Sequence, residues 1–179
     1  LAGKLVRGVG SENIDYRLRN AEFTAAQGVQ WLGMPIAALS NLQSALIVGS
    51  NLRKDHPLFA QRIRQATKKG CKVFSINDRV YDWALPVAAS VVAAGDWAQA
   101  LADVAAAVAE AKGVTAPVAG QAHDEAKSIA AALLVGEQKA VLLGNAAAHH
   151  AQASTLLALA NWIAEQTGDT AGYLTEAAN

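Results

Sequence analysis

Three small residues that follow a short apolar run have the chemistry of a ligand-binding loop. The run Gln43–Ser50 reads QSALIVGS, and Asn51 comes next. Gly49 has no Cβ and so lets a ligand approach the backbone, while the Ser50 and Asn51 side chains can donate hydrogen bonds. A helix that begins after such a loop presents free N–H groups, which favour phosphate. The sequence therefore predicts a cofactor contact at Gly49-Ser50-Asn51.

An acidic residue after a second apolar run adds to this candidate site. Lys72–Asn77 reads KVFSIN, and Asp78 and Arg79 follow it. Dinucleotide-binding domains carry an acidic residue in this place to contact a ribose. The alternative is that Asn51 and Asp78 only cap helices and turn the chain, and spacing leaves both interpretations open. Gly49, Ser50, Asn51 and Asp78 are thus predicted as cofactor-binding residues, and no residue is predicted to be catalytic.

The sequence gives little support for a metal site or for a catalytic nucleophile. Cys71 is the one cysteine, so local thiolates cannot build an iron–sulfur cluster, and its place before an apolar strand indicates a buried, inert thiol. The adjacent His149 and His150 would point in different directions on a helix, which favours a structural role over a metal site. Gly8-Val9-Gly10 lacks the preceding strand of a dinucleotide fingerprint. A nucleotide enzyme would have His56 as its one candidate general acid or base.

The elements that must position these residues follow an alternating pattern. Gln43–Ser50 and Lys72–Asn77 are predicted to be buried parallel strands, with a helix between them that begins near Asp55-His56-Pro57 and ends at Gly70. This β-α-β unit implies a right-handed crossover. Leu85–Val92 is predicted as a short strand or an extended connection.

A second cycle of the same kind follows. Asp96 is predicted to cap an Ala-rich helix that runs to about Lys112, and the stretch 113–120 is predicted as a linker between lobes at about 1–112 and 121–179. After it we expect a helix over Asp124–Val135, a strand over Lys139–Leu143 followed by Gly144-Asn145, and one long helix from about Ala147 to Gln166. Short helices are predicted at Asp15–Gln27 and Pro35–Leu39. The pattern predicts an α/β fold with a doubly wound, mostly parallel, Rossmann-like sheet.

Charge is distributed unevenly along the chain. Residues 1–94 carry 12 Lys and Arg against 6 Asp and Glu, and residues 95–179 carry 3 against 9. The basic excess is concentrated in a basic cluster of Arg53, Lys54, Arg62, Arg64, Lys68, Lys69 and Lys72. A solvated helix face explains this cluster, and an acidic partner or a bound anion is the alternative. Nucleic acid is a poor candidate partner, because the cluster offers only Phe59 for base stacking.

Membrane insertion and secretion are not predicted. No apolar run approaches the ~18 residues that a membrane-spanning helix needs, and no signal-peptide pattern opens the chain. The chain begins at Leu1 rather than Met, so we expect further sequence on both sides.

The ordered run from Gly49 to Ala66 resembles the molybdopterin oxidoreductase superfamily. In that superfamily a strand ends in Gly-x-Asn, a His-Pro pair opens the next helix, and a second strand ends near an Asp that contacts the guanosine of the pterin dinucleotide. Here these features are Gly49-Ser50-Asn51, His56-Pro57 and Asp78. The resemblance implies a molybdopterin oxidoreductase/formate dehydrogenase-like domain.

Three further segments resemble the G subunit of bacterial NADH:quinone oxidoreductase, also known as complex I. They are Val6–Gly8 together with Asn13–Arg19, then Trp31–Ile36, and Gly172–Asn179. This resemblance implies a cytoplasmic domain, peripheral on the inner membrane, whose partners are the other subunits of the hydrophilic arm. Electron transfer from NADH to quinone would belong to the whole complex.

Departures from the superfamily pattern argue against a molybdenum cofactor. Active members carry a Cys, selenocysteine or Ser ligand two residues after the Arg that corresponds to Arg19, and this chain has Ala21 there. The usual Asp-Pro-Arg is Asn77-Asp78-Arg79, which weakens the guanosine contact. We therefore expect no cofactor in this fragment, with iron–sulfur clusters upstream in the parent subunit. The predicted function is structural, and the alternative is a module that still binds a nucleotide or pterin dinucleotide at Gly49-Ser50-Asn51.

Overall fold

A parallel sheet of five strands forms the centre of the protein. The computed structural model describes residues 2–13 and 31–174. The strands are β1 (Ser44–Val48), β2 (Lys72–Asn77), β3 (Ala89–Val92), β4 (Lys139–Leu143) and β5 (Thr170–Tyr173). Their order across the sheet is β3-β2-β1-β4-β5, and every neighbouring pair is parallel. The predicted α/β class is confirmed, with a sheet that is parallel throughout.

Helices precede and connect the strands. They are α1 (Ala2–Gly8), α2 (Leu52–Asp55), α3 (Pro57–Thr67), α4 (Trp97–Lys112), α5 (Asp124–Leu133), α6 (Asn145–Ala148) and α7 (Ala153–Thr167), together with a 3₁₀ helix at Ile36–Asn41. None of the helices in the described part of the chain is long and apolar enough to cross a membrane.

The two faces of the sheet are buried in separate cores because successive side chains of a strand point to opposite sides. Leu46 and Val48 of β1 face a core built with α4, α5 and α7. Ala45 and Ile47 face the other core, to which α3 and the 3₁₀ helix contribute. Strands buried on both faces are rich in apolar residues, which explains the run Ala45–Val48 in β1. Helices therefore cover both faces, as expected for a doubly wound sheet.

The predicted β-α-β unit is present with the expected elements. β1 and β2 are paired in parallel from Ser44–Lys72 to Val48–Ile76, and α3 connects them. α3 has Pro57 at its start, as predicted, and its N-cap residue is His56. Asp55 does not cap α3. Its carboxylate accepts a hydrogen bond from the Asn51 N–H at 2.9 Å instead, and so closes the single turn of α2.

Three predictions about helices need correction. The single helix expected from about Ala147 to Gln166 is two helices, α6 and α7. The His150 ring accepts the N–H of Gln152 at 3.1 Å and stacks on Trp97, which holds the chain out of helical geometry between them. The helix expected at Pro35–Leu39 is a 3₁₀ helix. The helix expected to end at Val135 ends at Leu133.

The sequence predicts one of the strands only ambiguously and does not predict another. The ambiguous segment Leu85–Val92 contains β3, which is paired with β2. β5 was not predicted as a strand, because its sequence TAGY holds only four residues, and Ala and Gly have low strand propensity. Asp96 precedes α4 as predicted, although its side chain makes no capping hydrogen bond.

The predicted lobes share this sheet. β1, β2 and β3 come from residues 1–112, and β4 and β5 come from residues 121–179. The stretch 113–120 between them contains no helix or strand. The predicted helix Asp15–Gln27 lies outside the described residues, as do Ala21, Arg19 and the last five residues of the Gly172–Asn179 segment.

Candidate functional site

The candidate site lies where the carboxyl ends of β1 and β4 meet. From β1 the chain crosses to β2 on one side of the sheet, and later returns to place β4 on the other side of β1. The strand order reverses at this point, and α/β sheets bind ligands in the crevice at such a reversal. The sequence-predicted loop Gly49-Ser50-Asn51, here called the β1 loop, follows β1 directly. Its counterpart Gly144-Asn145 follows β4.

Gly49 is required by contacts within the protein. Its φ is +63°, and a Cβ there would lie 2.6 Å from the Ala147 nitrogen and 2.9 Å from Trp97 Cζ3. A Cβ on Gly144 would lie 2.3 Å from Ser50 Cβ. The two loops therefore pack against each other and against Trp97. The space beside Gly49, which the sequence suggested for a ligand, is filled by the chain's own atoms.

The backbone N–H groups of the β1 loop all have acceptors. The Gly49 N–H donates to the Ile76 carbonyl, the Ser50 N–H to Asn77 Oδ1 and the Asn51 N–H to Asp55 Oδ2, each at 2.9 Å. The helix that follows, α2, has only four residues. A phosphate site needs several N–H groups that point at the ligand and are free to donate. The β1 loop in this structure has none to offer.

Asp78, the predicted ribose contact, also directs its carboxylate toward its own loop. The Tyr81 hydroxyl donates to Oδ1 at 2.7 Å, and Arg79 Nε donates to Oδ2 at 2.9 Å. The hydrogen bond from Tyr81, aided by the hydrogen bond and charge of Arg79, lowers the pKa of Asp78 against the opposing effect of burial. Asp78 stands at the end of β2, next to the β1 loop, as the sequence predicted. Its role in ligand binding stays a prediction.

His56 is buried, so its ring is not available as a solvent-exposed general acid or base. Its side chain stacks on Phe59 with ring centroids 5.6 Å apart. Burial lowers the pKa of His56, against the opposing effects of the Asp55 charge and the Asn145 amide. The ring is therefore neutral at pH 7. Its Nε2 has no hydrogen-bond partner among the described residues.

Several other polar atoms near these strand ends also lack partners. Asn77 Nδ2, Asn145 Oδ1 and Trp97 Nε1 are buried without a hydrogen bond to any described residue. The sequence predicts Asn77 and Asn145 at strand ends, whereas Trp97 belongs to none of its motifs. No local signal in the sequence predicts that Trp97 stacks on His150, with ring centroids 5.2 Å apart. These atoms are the part of the site that a polar ligand would satisfy.

The described residues contain neither a cluster that could bind a metal nor a reactive thiol. Nowhere in residues 2–13 and 31–174 do three or more His, Cys, Asp or Glu side chains come together as a metal site would require. Burial raises the pKa of the Cys71 thiol to about 11, so the thiol is protonated and unreactive at neutral pH.

Comparison with known proteins is consistent with this fold. The family model of the molybdopterin oxidoreductases matches residues 1–178. A search of curated proteins gave no match. Among solved structures, the formyltransferase/hydrolase complex from Methylorubrum extorquens, in complex with methylofuran, contains a similar chain with 21% identity and a TM-score of 0.54. The match covers 81% of the present chain but only 40% of that chain, and at this identity it shows a shared fold alone.

Proposed function

Since this chain belongs to the molybdopterin oxidoreductase family, we propose that it is a scaffold domain of the G subunit of a bacterial NADH:quinone oxidoreductase, without a bound pterin dinucleotide. The scaffold proposal rests on one observation. Every backbone N–H of the β1 loop donates a hydrogen bond to an acceptor within the protein. A loop in that condition stabilises the sheet, and its backbone has no free N–H for a diphosphate. This lack of free backbone donors supports a domain that does not bind that part of the cofactor.

The assignment to complex I rests on sequence resemblance. It depends on the segments Val6–Gly8, Asn13–Arg19, Trp31–Ile36 and Gly172–Asn179, and on Ala21 in the place of a molybdenum ligand. The similar solved chain belongs to an assembly of several subunits, which supports partner subunits for this chain without identifying them. In the proposed role, the domain holds cluster-bearing domains and neighbouring subunits in place, and electron transfer takes place elsewhere in the complex.

A retained nucleotide or pterin site is the second candidate, and one observation favours it. His56 Nε2, Asn77 Nδ2 and Asn145 Oδ1 are buried and lack partners among the described residues. A guanine or pterin ring would supply both donors and acceptors to such atoms. In this second candidate function the ring would bind to these polar atoms. The phosphates could bind only if the β1 loop opened and released its N–H groups.

Native mass spectrometry of the purified protein, with a metal assay for molybdenum, iron and zinc, separates the two candidates. The scaffold proposal expects the bare mass of the chain and no stoichiometric metal. A co-purifying guanine dinucleotide would contradict it. Titration with GDP extends the test to weak binding. We expect no saturable heat at millimolar GDP, and saturable binding that Asn77→Ala abolishes would establish the second candidate.

The complex I assignment has its own test. The purified chain is mixed with the isolated hydrophilic-arm subunits of a bacterial complex I and analysed by size-exclusion chromatography. Co-elution with at least one subunit is expected. Independent elution from all of them would reject the assignment while leaving the scaffold interpretation of the β1 loop intact.

A further inference from the structure

A small cavity beside α3 lies outside the site described above. It has a volume of about 140 Å³ and lies between α3 and the segment 83–85 that follows β2. Four lining residues carry hydrogen-bond donors in their side chains, namely Arg53, Gln61, Arg64 and Trp83, and the other four lining residues are apolar. One water takes up ~30 Å³ in the liquid, so the cavity accommodates a group of several heavy atoms.

The spacing of residues along α3 explains why this wall is basic. Pro57, Ala60, Gln61 and Arg64 recur at i, i+3, i+4 and i+7, which places them on one stripe of the helix. Ala60 is buried against the core, and Gln61 and Arg64 lie at its exposed border. Part of the basic cluster is therefore directed into a concave site and not only into solvent.

The two arginines differ in their pairing. Arg53 forms an ion pair with Asp82, whose carboxylate also accepts the Ala84 N–H at 3.1 Å. Arg64 has no acidic partner within 4 Å among the described residues. A guanidinium without a partner at the edge of a cavity is suited to a carboxylate, which it can bind through two parallel hydrogen bonds.

Trp83 is a second observation at the same cavity. Its side chain is 6% exposed, it lines the cavity, and its Nε1 is buried without an acceptor among the described residues. A buried N–H without an acceptor destabilises a protein, so such groups usually have a partner. A small rotation of the indole toward the cavity would let an acceptor bound there provide one.

We propose that this cavity binds a carboxylate side chain, Asp or Glu, from a partner protein. A carboxylate on a short methylene stem matches a lining that combines four side chains with hydrogen-bond donors and four apolar residues, whereas a phosphate has no apolar stem to contact the latter. The surrounding basic cluster favours an acidic partner surface. Asp55 and Asp82 are the acidic groups on the neighbouring elements, and Asp82 is already neutralised by Arg53. The proposal rests on the scaffold function, since it names the chemistry of the scaffold's partner.

The test follows the Trp83 indole N–H by nitrogen-15 NMR during titration of the whole chain. The probe is acetyl-Ala-Glu-Ala-amide, and acetyl-Ala-Gln-Ala-amide is the neutral control. Trp83→Phe identifies the resonance among the four tryptophans. We expect a saturable shift with the glutamate peptide only. Arg64→Gln should weaken binding roughly tenfold, because it removes a hydrogen bond to a charged group.

Arg62→Gln is the matched variant, since Arg62 lies on the same helix, is exposed and carries the same charge, but does not line the cavity. It should leave the affinity within about twofold. Equal weakening by both variants, equal shifts with both peptides, or a shift with inorganic phosphate in place of the glutamate peptide would each overturn the proposal. Since this test needs only the chain and a peptide, its failure would leave the scaffold function standing.

Discussion

The β1 loop and the cavity beside α3 are separated along the chain by one turn of helix, and both present hydrogen-bond donors. In the β1 loop, every backbone N–H donates to an acceptor within the protein. In the cavity, the Trp83 indole and the Arg64 guanidinium have no acceptor among the described residues. A loop whose sequence resembles a binding motif can thus have all its backbone donors occupied by hydrogen bonds of the fold. A neighbouring region without such a motif keeps side-chain donors that have no acceptor. Substitutions in the two regions test this difference.

Gly49→Ala should give the largest effect, because it adds a Cβ where the loops after β1 and β4 meet. The new atom would lie 2.6 Å from the Ala147 nitrogen at a φ of +63°. Crowding and backbone strain together should lower the free energy of unfolding by about 3 kcal/mol, measured by urea denaturation. Gly70→Ala is the control, since Gly70 has a φ of +97° but nothing within 4 Å. A loss no greater than that of the control would mean that the loop is open enough for a ligand.

His56 should make stability depend on pH. Burial lowers its pKa from 6.5 in the folded state, so the unfolded chain takes up a proton more readily as the pH falls. Stability from this residue is complete above pH 6.5 and is lost below it, by at most about 1.4 kcal/mol per pH unit. Urea denaturation between pH 5 and pH 8 measures this slope, and His56→Gln should reduce it. An unchanged slope in the variant would show that the ring is accessible to water, as in an open site.

Ala84→Gly should stabilise the protein modestly at the wall of the cavity. Ala84 is the one non-glycine residue with positive φ in the described part of the chain, at +52°. Glycine adopts this conformation without the steric penalty of a Cβ, so thermal denaturation should show a gain of about 0.5 kcal/mol. Ala88→Gly, at an exposed position of negative φ, should instead reduce stability. A loss at both positions would indicate that Ala84 is not strained.

Asp82→Asn should have the smallest effect on folding and should sharpen the description of the cavity. The Arg53–Asp82 pair is exposed, so its loss should change the free energy of unfolding by less than about 1 kcal/mol. The freed Arg53 should strengthen binding of the glutamate peptide about twofold to threefold. Weaker peptide binding would mean that Asp82 shapes the cavity more than it competes for Arg53.

The fold could be predicted from the sequence where burial determines residue type. Strands buried on both faces are rich in apolar residues, so β1, β2 and β4 stand out in the sequence although each also contains a buried polar residue. β5 does not, because its Ala and Gly carry no strand preference and its place is determined by pairing with β4. The break between α6 and α7 depends on the contact of His150 with Trp97, a partner 53 positions earlier. Such contacts between distant residues leave no local pattern in the sequence.

The position of the candidate site could be predicted from the sequence, but not whether its backbone N–H groups are free to bind a ligand. Spacing placed Gly49, Ser50, Asn51 and Asp78 at neighbouring strand ends, where the structure has them. Whether a loop N–H is free depends on acceptors such as Ile76 and Asn77, which reach it only after β2 is paired with β1. The cavity beside α3 escaped prediction for the same reason. Its wall combines α3 with residues 83–85, and only the basic cluster indicated it in the sequence.

The last strand of the sheet lies directly against a segment that is distant along the chain. The Tyr173 N–H donates to the Trp31 carbonyl at 2.8 Å, and a Cβ on Gly172 would collide with the Leu32 carbonyl. Gly172 therefore lets the backbone of residues 31–32 lie against β5 at closer range than any other residue would allow. Any side chain at position 172 would push these two segments apart at this edge of the sheet, whereas β3 and the cavity lie at the opposite edge.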